Sequence, residues 1–200
     1  MNVVAIMLRT PVAGAVKTRL AKSLGAEAAL GSYCQLVEFL LQRLGRPWPI
    51  HIHYTPDKPD EMKNWLGDAY AYIPQVGTDL GERLIHAMEL EFDRGVKKLI
   101  FLGGDCPYVD RARVEDAFRE LEDCDVVIGP ATDGGYYLVG LKRNLPGLFR
   151  GIPWGSGGVL SSTLAKCLEL GLKRSLLAEE SDVDDLASWE EAREYLANPP

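Results

Sequence analysis

Two stretches of the chain are apolar at every consecutive position, the pattern of strands that are buried on both faces of a sheet. The first is Val3–Leu8, near the start of the chain, and the second is Leu99–Leu102. Strands covered on both faces belong to sheets whose parallel neighbours are joined by helices. The two runs therefore predict the centre of an α/β sheet.

Helical spacing fills much of the remaining sequence. Apolar positions on one face predict a helix over Ala26–Leu44, and a short polar helix is predicted over 57–66. A third helix opens at Thr78 or Asp79, with a predicted buried stripe of Leu80, Leu84, Ala87, Met88 and Phe92. A later one carries a stripe of Val159, Leu160, Leu164, Cys167 and Leu168. Further strands are predicted at Ile50–Thr55, Ala69–Pro74, Asp125–Pro130, Tyr136–Leu141 and Ser175–Ala178.

The order of these elements predicts one α/β domain over residues 1–200, without an internal repeat or linker. Tyr136–Leu141 returns directly from a tight turn, so the sheet is expected to be mixed and mostly parallel, with helices on its faces. The short apolar N-terminus ends at Arg9 and predicts neither a signal peptide nor a membrane span. Four cysteines without metal-ligand spacing indicate a reduced, cytoplasmic protein.

Charge limits the classes of partner. Lys and Arg number 22 against 29 Asp and Glu, a formal net charge of −7. An acidic chain is unsuited to general binding of nucleic acid or anionic membrane. We therefore expect small-molecule partners, and any anionic substrate must be held by a local basic cluster or a metal ion.

Asp105 is the first candidate for such chemistry. It follows the Leu99–Leu102 strand and two glycines, and Pro107 comes two residues later. In open α/β sheets ligands bind beyond the carboxyl ends of strands, where a carboxylate can hold Mg²⁺. The alternative is that Asp105 only caps the helix that begins after Pro107. Its neighbour Cys106 has no evident base and is interpreted as an inert core thiol.

The loop after the first strand is the second candidate. Arg9, Gly14, Lys17 and Arg19 place a glycine and several cations between a strand and a helix start, which suits a polyphosphate. It matches neither a Walker loop nor a dinucleotide fingerprint. The alternative is a solvated basic turn.

Later carboxylates complete the set, and each has a structural alternative. Asp79 is a natural helix cap with a less secure substrate role. The Asp133-Gly134-Gly135 turn lets backbone amides approach an acceptor, or is turn chemistry alone. Asp182 and Asp184 alternate and can bring a second carboxylate to a metal, although such acidic runs are usually solvated. His51 and His53 share a strand face and are expected at the surface rather than as ligands.

Taken together, these features describe the binding of a nucleotide di- or triphosphate with Mg²⁺ or Mn²⁺ at the open edge of the sheet. Mg²⁺ would neutralise phosphate charge, while Lys17 and Arg19 would stabilise charge in the transition state. The catalytic candidates are therefore Lys17, Arg19 and Asp105, and the metal candidates are Asp105, Asp182 and Asp184.

The chain also resembles a known family through six motifs in order: PVAGAVKTRL, GTDLGERL, GGDCPYVD, GPATDGGYYLVGL, WGSGGVL and SDVDDLASW. They are similar to those of the DUF2064 family, also called "transferase 1, radical-SAM/selenodomain-associated". That family lies among the nucleotide-diphospho-sugar transferases of GT-A fold. It is similar to the phospholactate guanylyltransferases and, more distantly, to the molybdenum cofactor guanylyltransferases.

The resemblance implies a GT-A fold and a role for each motif. Lys17 and Arg19 would face the nucleotide phosphates, and Asp105 would bind the metal with Asp182 or Asp184. Asp133, Gly134 and Gly135 would line the acceptor side. Arg9 and Gly14 of the same loop are further candidates for nucleotide binding, and Asp79 is a further candidate for acceptor binding. Three departures from the family pattern stand out: a first loop with Gly14 alone, GGDCP for GTDCP, and Asp185 for a threonine.

The leading hypothesis is nucleotidyl transfer from a nucleoside triphosphate to a small phosphorylated or sugar-like acceptor. The alternative is glycosyl transfer from a nucleotide sugar, which the same metal site would serve. A second alternative is a non-catalytic nucleotide-binding protein. The sequence predicts neither the donor base nor the oligomeric state.

Overall fold

The computed structural model describes residues 1–199, and within them seven strands form one sheet in the order β3-β2-β1-β4-β6-β5-β7. The strands are β1 Asn2–Arg9, β2 Ile50–Thr55, β3 Ala71–Pro74, β4 Lys98–Gly103, β5 Val126–Pro130, β6 Tyr136–Leu141 and β7 Arg174–Leu176. Strand β6 runs antiparallel to β4 and β5, and the other neighbouring pairs are parallel. The predicted mixed, mostly parallel sheet is confirmed.

Helices cover both faces of this sheet. They are α1 Thr18–Leu24, α2 Ala26–Leu44, α3 Pro59–Leu66, α4 Leu80–Asp93, α5 Arg111–Asp123, α6 Val159–Glu169 and α7 Leu186–Ala197, with a short 3-10 turn at Pro146–Leu148. The core on one face includes residues of α2, α3 and α5, and that on the other face includes residues of α4 and α6. None of the helices in the described range combines the length and apolarity needed to cross a membrane.

The central strand β1 shows why an unbroken apolar run was needed. Val4, Ile6 and Leu8 enter one core, while Val3 and Ala5 enter the other. Successive side chains of a strand point to opposite faces, and here both faces are covered. The prediction of a buried central strand is confirmed.

A third, smaller core fixes the end of the chain. Leu20 of α1 and Leu36 of α2 pack with Trp189 and Ala192 of α7 and with Val183, which precedes α7. This packing brings the segment before α7, which carries Asp182 and Asp184, back to the start of α1. Residues separated by most of the chain therefore meet at one edge of the sheet.

Some predicted boundaries and burial patterns differ from the structure. Helix α3 begins at Pro59 rather than residue 57, because proline is favoured at the first helical position. Strand β3 begins at Ala71 rather than residue 69. Two residues predicted in buried stripes are exposed instead: Leu80 at 41% and Leu168 at 76%. Both lie near a helix end, where the sheet no longer covers the stripe.

The prediction that His51 and His53 lie at the surface is wrong. Both rings contact the same carboxylate oxygen, Glu91 Oε1 on α4, at 2.8 and 2.9 Å. Glu91 and His53 are buried. Burial alone would raise the pKa of Glu91, but the hydrogen bonds from the two histidines outweigh it and lower this pKa to about 2. The cluster is a polar contact between the sheet and α4 rather than an exposed pair.

Candidate active site

A cavity of about 370 Å³ opens at the carboxyl ends of β4 and β5 and beside the N-terminal ends of α4 and α6. This is the edge at which open α/β sheets bind ligands. Six residues singled out from the sequence line it: Arg19, Asp105, Asp133, Gly135, Asp182 and Asp184. Others singled out lie outside its lining: Arg9, Gly14, Lys17, Asp79 and Gly134. The structure thus brings Asp105, Asp133, Asp182 and Asp184 together, while Asp79 and most of the first loop lie outside the lining.

Asp105 follows the end of β4 and one closely packed glycine, Gly104. A Cβ on Gly104 would lie 2.6 Å from Leu8 Cδ2 and 3.0 Å from Val37 Cγ2, so the glycine lets the chain pass close to β1 and α2. The N-cap of α5 is Asp110, whose carboxylate accepts the Arg113 amide at 2.9 Å. Capping of α5 therefore does not account for Asp105, and its carboxylate is left to the cavity wall.

Lys17 lies behind this wall instead of on an exposed loop. Its backbone is left-handed, with φ 46° and ψ 48°, and its side chain is 4% exposed. The ammonium lies 3.0 Å from Asp105 Oδ1 and 3.6 Å from Asp184 Oδ1, and it donates to the Val183 carbonyl. Asp105 and Val183 lie within hydrogen-bond distance of the ammonium, and Asp184 lies farther away as an ion-pair partner. Lys17 therefore joins the ends of three distant segments.

The late acidic segment is held in place by its backbone. The Val183 amide donates to the Asp105 carbonyl at 3.0 Å, which ties it to the end of β4. Asp185 caps α7 in a reciprocal pair with Ser188. Aspartate and threonine are both favoured N-cap residues, so Asp185 can take the place of the threonine in the family pattern. The flanking residues Asp182 and Asp184 are thereby fixed at the cavity.

The electrostatics of Asp182 differ from those of its neighbours. Its burial, followed by the charges of Asp133 and Asp184, raises the pKa of its carboxyl group. Within residues 1–199 it forms no ion pair. Asp184 by contrast faces Lys17 and also lies 3.3 Å from Arg19 Nη1, whose side chain is 73% exposed. The cavity therefore holds a concentration of negative charge that is only partly neutralised.

The Asp133-Gly134-Gly135 turn lies beside the late acidic segment, since a β-bridge joins Ala131 to Glu180. The Gly135 amide donates to Asp133 Oδ1 at 2.7 Å, and Gly134 adopts φ +87°. A Cβ on Gly134 would lie 2.2 Å from the Gly157 carbonyl oxygen. The Leu160 amide donates to the Gly134 carbonyl at 2.9 Å. The glycines thus allow this turn to pack against the Gly-rich segment that opens α6.

Sequence reasoning did not place the apolar side of the cavity. Trp154 packs edge-on against Tyr136, with ring centroids 6.2 Å apart, and both residues line the space. Leu80, predicted to be buried, belongs to the same wall. The WGSGG motif was the available signal, because a tryptophan followed by glycines permits close approach of a ligand. Trp154 is also in contact with Phe149, so it serves core and cavity together.

Cys106 lines the cavity but is a poor nucleophile. Its side chain is buried, and burial is the main cause that raises its pKa to about 12. A thiol that stays protonated has little reactivity. The interpretation of Cys106 as inert is supported.

The carboxylates fit a divalent cation that is shared with a phosphorylated ligand. Among residues 1–199 no group of three or more His, Cys, Asp and Glu side chains is arranged as a complete metal site. Mg²⁺ is usually held by one or two carboxylates together with substrate phosphates, so a complete protein cage is not required. Asp182, which has no cationic partner within the described range, together with Asp105 or Asp184 satisfies that pattern.

Comparisons with known proteins agree with this arrangement. A family model described as "Uncharacterized protein conserved in bacteria (DUF2064)" matches residues 41–156. The crystal structure of a candidate nucleotide-diphospho-sugar transferase from Desulfovibrio desulfuricans G20 is similar, with 33% identity and a TM-score of 0.89. The match covers 98% of this chain and 95% of that one. No curated protein sequence matches this chain significantly.

Two more distant structures share the fold. CMP:2-keto-3-deoxy-manno-octonic acid synthetase complexed with CTP has 14% identity and a TM-score of 0.63, over 100% of this chain and 99% of that one. The manganese complex of Rv0371C from Mycobacterium tuberculosis H37Rv has 13% identity and a TM-score of 0.58, over 99% and 100%. The fold of nucleotide-diphospho-sugar transferases, which the sequence motifs implied, is confirmed.

Proposed function

Since the chain belongs to the DUF2064 family, we propose that it is a divalent-metal-dependent transferase that moves a nucleotidyl group from a nucleoside triphosphate to a small acceptor. The coarser class, a transferase of the nucleotidyl or nucleotide-sugar kind, follows from its relatives. One observation supports metal dependence and a phosphorylated donor. Asp105, Asp182 and Asp184 line one cavity at the carboxyl edge of the sheet, with Lys17 immediately behind them.

In this proposal the two ends of the donor are handled by different parts of the chain. Arg19, at the cavity rim, faces the phosphate that leaves. Arg9 and the amides around Gly14 hold the nucleotide beyond β1. When bound between Asp182 and its neighbours, a divalent cation would neutralise phosphate charge and stabilise the leaving group. Lys17 fixes Asp105 and Asp184 so that these carboxylates do not have to reorganise.

The transfer step forms one bond to phosphorus and breaks another. A hydroxyl oxygen of the acceptor attacks the α-phosphorus, and the bond from that phosphorus to the bridging oxygen of pyrophosphate breaks. Pyrophosphate leaves, and the hydroxyl proton passes to a carboxylate. We assign this proton to Asp133, whose carboxylate lines the cavity and is held by one backbone amide.

Glycosyl transfer from a nucleotide sugar is the second candidate, and one observation favours it. The Lys17 ammonium is already paired with Asp105, Asp184 and the Val183 carbonyl, which leaves fewer cations for a triphosphate than the sequence suggested. A nucleotide sugar carries less negative charge than a nucleoside triphosphate and needs fewer cations. The two candidates predict different products, pyrophosphate from one and a free nucleoside diphosphate from the other.

A thermal-shift panel of nucleoside triphosphates and nucleotide sugars, with and without Mg²⁺ or Mn²⁺, tests the proposal. A donor at ~100 times its Kd should add about 2.7 kcal/mol to stability. The stabilising donor is then used to assay release of pyrophosphate or nucleoside diphosphate. Asp105→Asn should abolish the metal-dependent shift, while Asp110→Asn, a cap outside the cavity, should preserve it.

Three outcomes contradict the proposal. No shift with any nucleotide and metal would reject both transferase candidates. A shift that Asp105→Asn leaves unchanged, with no turnover of any acceptor, would indicate a non-catalytic nucleotide-binding protein. Release of nucleoside diphosphate from a nucleotide sugar, without reaction of any triphosphate, would replace nucleotidyl transfer by glycosyl transfer.

A further inference from the structure

Tyr33 joins helix α2 to the end of the central strand β1. Its side chain is buried, and its hydroxyl accepts a hydrogen bond from the Arg9 amide and donates one to the Arg9 carbonyl, both at 2.9 Å. A phenol hydroxyl is one donor and also an acceptor, so a single side chain satisfies both backbone groups of Arg9. Tyr33 lies outside the cavity lining, yet it fixes the residue from which the first loop departs.

Arg9 needs this partner because strand β4 ends before reaching it. The pairing of β1 with β4 stops at Met7 and Gly103, and the chain then leaves the sheet towards Asp105. Backbone N–H and C=O groups that are withdrawn from water have to be paired. The Tyr33 hydroxyl therefore supplies the pairing that a longer β4 would have supplied.

The ring of Tyr33 also lies beside the segment that carries Asp105. A Cβ on Gly104 would be 4.0 Å from Tyr33 Cε2. Burial, and after it the charge of Asp105, raises the pKa of the Tyr33 hydroxyl, which therefore stays protonated and keeps its donor for the Arg9 carbonyl. Tyr33 thus stands where β1 and β4 separate, between the loop proposed to hold the nucleotide and a carboxylate proposed to hold the metal.

Other contacts hold the two ends of the first loop. Thr10 is buried, its amide donates to the Thr55 carbonyl at 2.9 Å, and its hydroxyl donates to the Pro56 carbonyl at 2.6 Å. At the far end the Lys17 ammonium is held by ion pairs behind the cavity wall. Between these ends Gly14 is exposed and adopts φ +77°. A loop that is already anchored loses less conformational freedom when a ligand binds, so its anchors contribute to affinity.

We propose that Tyr33 is a positioning residue for the donor: its hydroxyl holds Arg9 and the first loop in the conformation that binds the nucleotide. The inference rests on the proposed transferase function and adds a residue that contacts neither donor nor metal. Without the hydroxyl the loop samples other conformations, and the dissociation constant of the donor rises in inverse proportion to the competent fraction. Once bound, the donor selects the same loop conformation, so the rate of the reaction itself is kept.

Tyr33→Phe tests this, because phenylalanine removes the hydroxyl and keeps the ring. The dissociation constants of ATP, GTP, CTP and UTP are measured with Mg²⁺, and the triphosphate that binds wild type most tightly is used for the variants. If the released loop is competent about a tenth of the time, this constant rises about tenfold, or ~1.4 kcal/mol. In the pyrophosphate-release assay the KM for the triphosphate should rise equally, while kcat stays the same.

Hydrogen exchange gives a second readout that needs no turnover. The backbone amides of residues 9–17 should exchange faster in ligand-free Tyr33→Phe than in ligand-free wild type, because the start of the loop is released. With the triphosphate and Mg²⁺ bound, the two proteins should exchange equally. Equal exchange of this segment in the two ligand-free proteins would overturn the inference.

Tyr72→Phe is the matched control. Tyr72 packs against the core on the same face of the sheet, and its hydroxyl also donates to a backbone carbonyl, that of Gly67, at 2.6 Å. Its loss should lower Tm and leave the affinity for the triphosphate and the exchange of residues 9–17 unchanged. An equal loss of affinity in both variants would show a general effect of destabilisation and would overturn the positioning role of Tyr33.

The remaining outcomes separate this inference from the function on which it rests. If wild type binds none of the four triphosphates with Mg²⁺, nucleotidyl transfer is rejected and the inference is rejected with it. If wild type binds one of them and Tyr33→Phe binds it as tightly, the inference alone is overturned. A lower kcat at unchanged affinity would also overturn it, because the hydroxyl would then act in the reaction rather than on the loop.

Discussion

Substitution of Lys17 by methionine separates two roles for this side chain. Methionine keeps an unbranched apolar stem and removes the ammonium. If Lys17 is a joint between segments, as its contacts with Asp105 and Asp184 indicate, the protein loses stability even without ligand. If Lys17 were an exposed phosphate ligand, nucleotide affinity would fall while the stability of the ligand-free protein stayed the same.

The size of the effect follows from the contacts. Hydrogen bonds to charged groups contribute about 1.5–3 kcal/mol each, and Lys17 makes such bonds to the Val183 carbonyl and the Asp105 carboxylate. Asp105 and Asp184 are 45% and 43% exposed, so solvent screens part of the attraction. We therefore expect a loss of about 2.5 kcal/mol in total.

Urea and thermal unfolding of the ligand-free protein measure this loss. A chain of this size loses roughly 2–4 °C of Tm per kcal/mol, so Lys17→Met should lower Tm by roughly 5–10 °C. Arg19→Met is the matched control: its side chain is 73% exposed, and its stability should change by less than about 0.5 kcal/mol. Equal Tm values for wild type and Lys17→Met would refute the claim that Lys17 holds these segments together, whatever the effect on nucleotide binding.

Two further predictions concern the buried polar cluster and the Gly-rich turn. The pKa of Glu91 is lowered in the folded state from 4.5 to about 2, so its stabilising contribution is complete above pH 4.5 and is lost as pH falls towards 2. That contribution is about 3 kcal/mol, and it should be missing from the acid limb of stability against pH in Glu91→Gln, as followed by urea unfolding at a series of pH values. If wild type and Glu91→Gln lost stability equally between pH 4.5 and pH 2, the stabilising contact between Glu91 and the two histidines would be contradicted. Gly134→Ala should destabilise the fold by more than about 2 kcal/mol, because it adds a clash with the Gly157 carbonyl to the cost of a positive φ. Gly151→Ala has a similar φ and open space around it, so it measures the φ cost alone; equal losses for the two variants would show that the turn does not pack against Gly157.

Much of the fold follows from local patterns in the sequence. Helix α2 spans Ala26–Leu44 as predicted, because a long apolar stripe ends between glycines. Strand β1 was predicted from an unbroken apolar run, which a strand needs when helices cover both faces of the sheet. The exposure of Leu80 and Leu168 was not predicted, because helical periodicity gives the face of a residue and not whether the sheet reaches that far.

The sequence predicted which carboxylates form the site, but it did not predict the contacts that hold them in place. Asp105, Asp133, Asp182 and Asp184 were all singled out, and they line one cavity. The position of Lys17 was not predicted. Its left-handed backbone turns the side chain inward, and its partner Asp184 is distant in sequence. No local pattern reports a non-glycine residue with positive φ or the acceptors it will meet.

The integrity of the active site is therefore inseparable from the docking of the last helix. The Val183 side chain is buried in the small core with Trp189, its amide is bound to the Asp105 carbonyl, and its carbonyl accepts from Lys17. One residue thus fixes the positions of the two carboxylates beside it, Asp182 and Asp184. None of these Val183 contacts involves the carboxylates that would bind the metal. A substitution in the α7 core should therefore impair metal binding even though every metal-binding side chain is still present. The acidic wall is positioned by the packing of the chain terminus as much as by the sheet edge on which it lies.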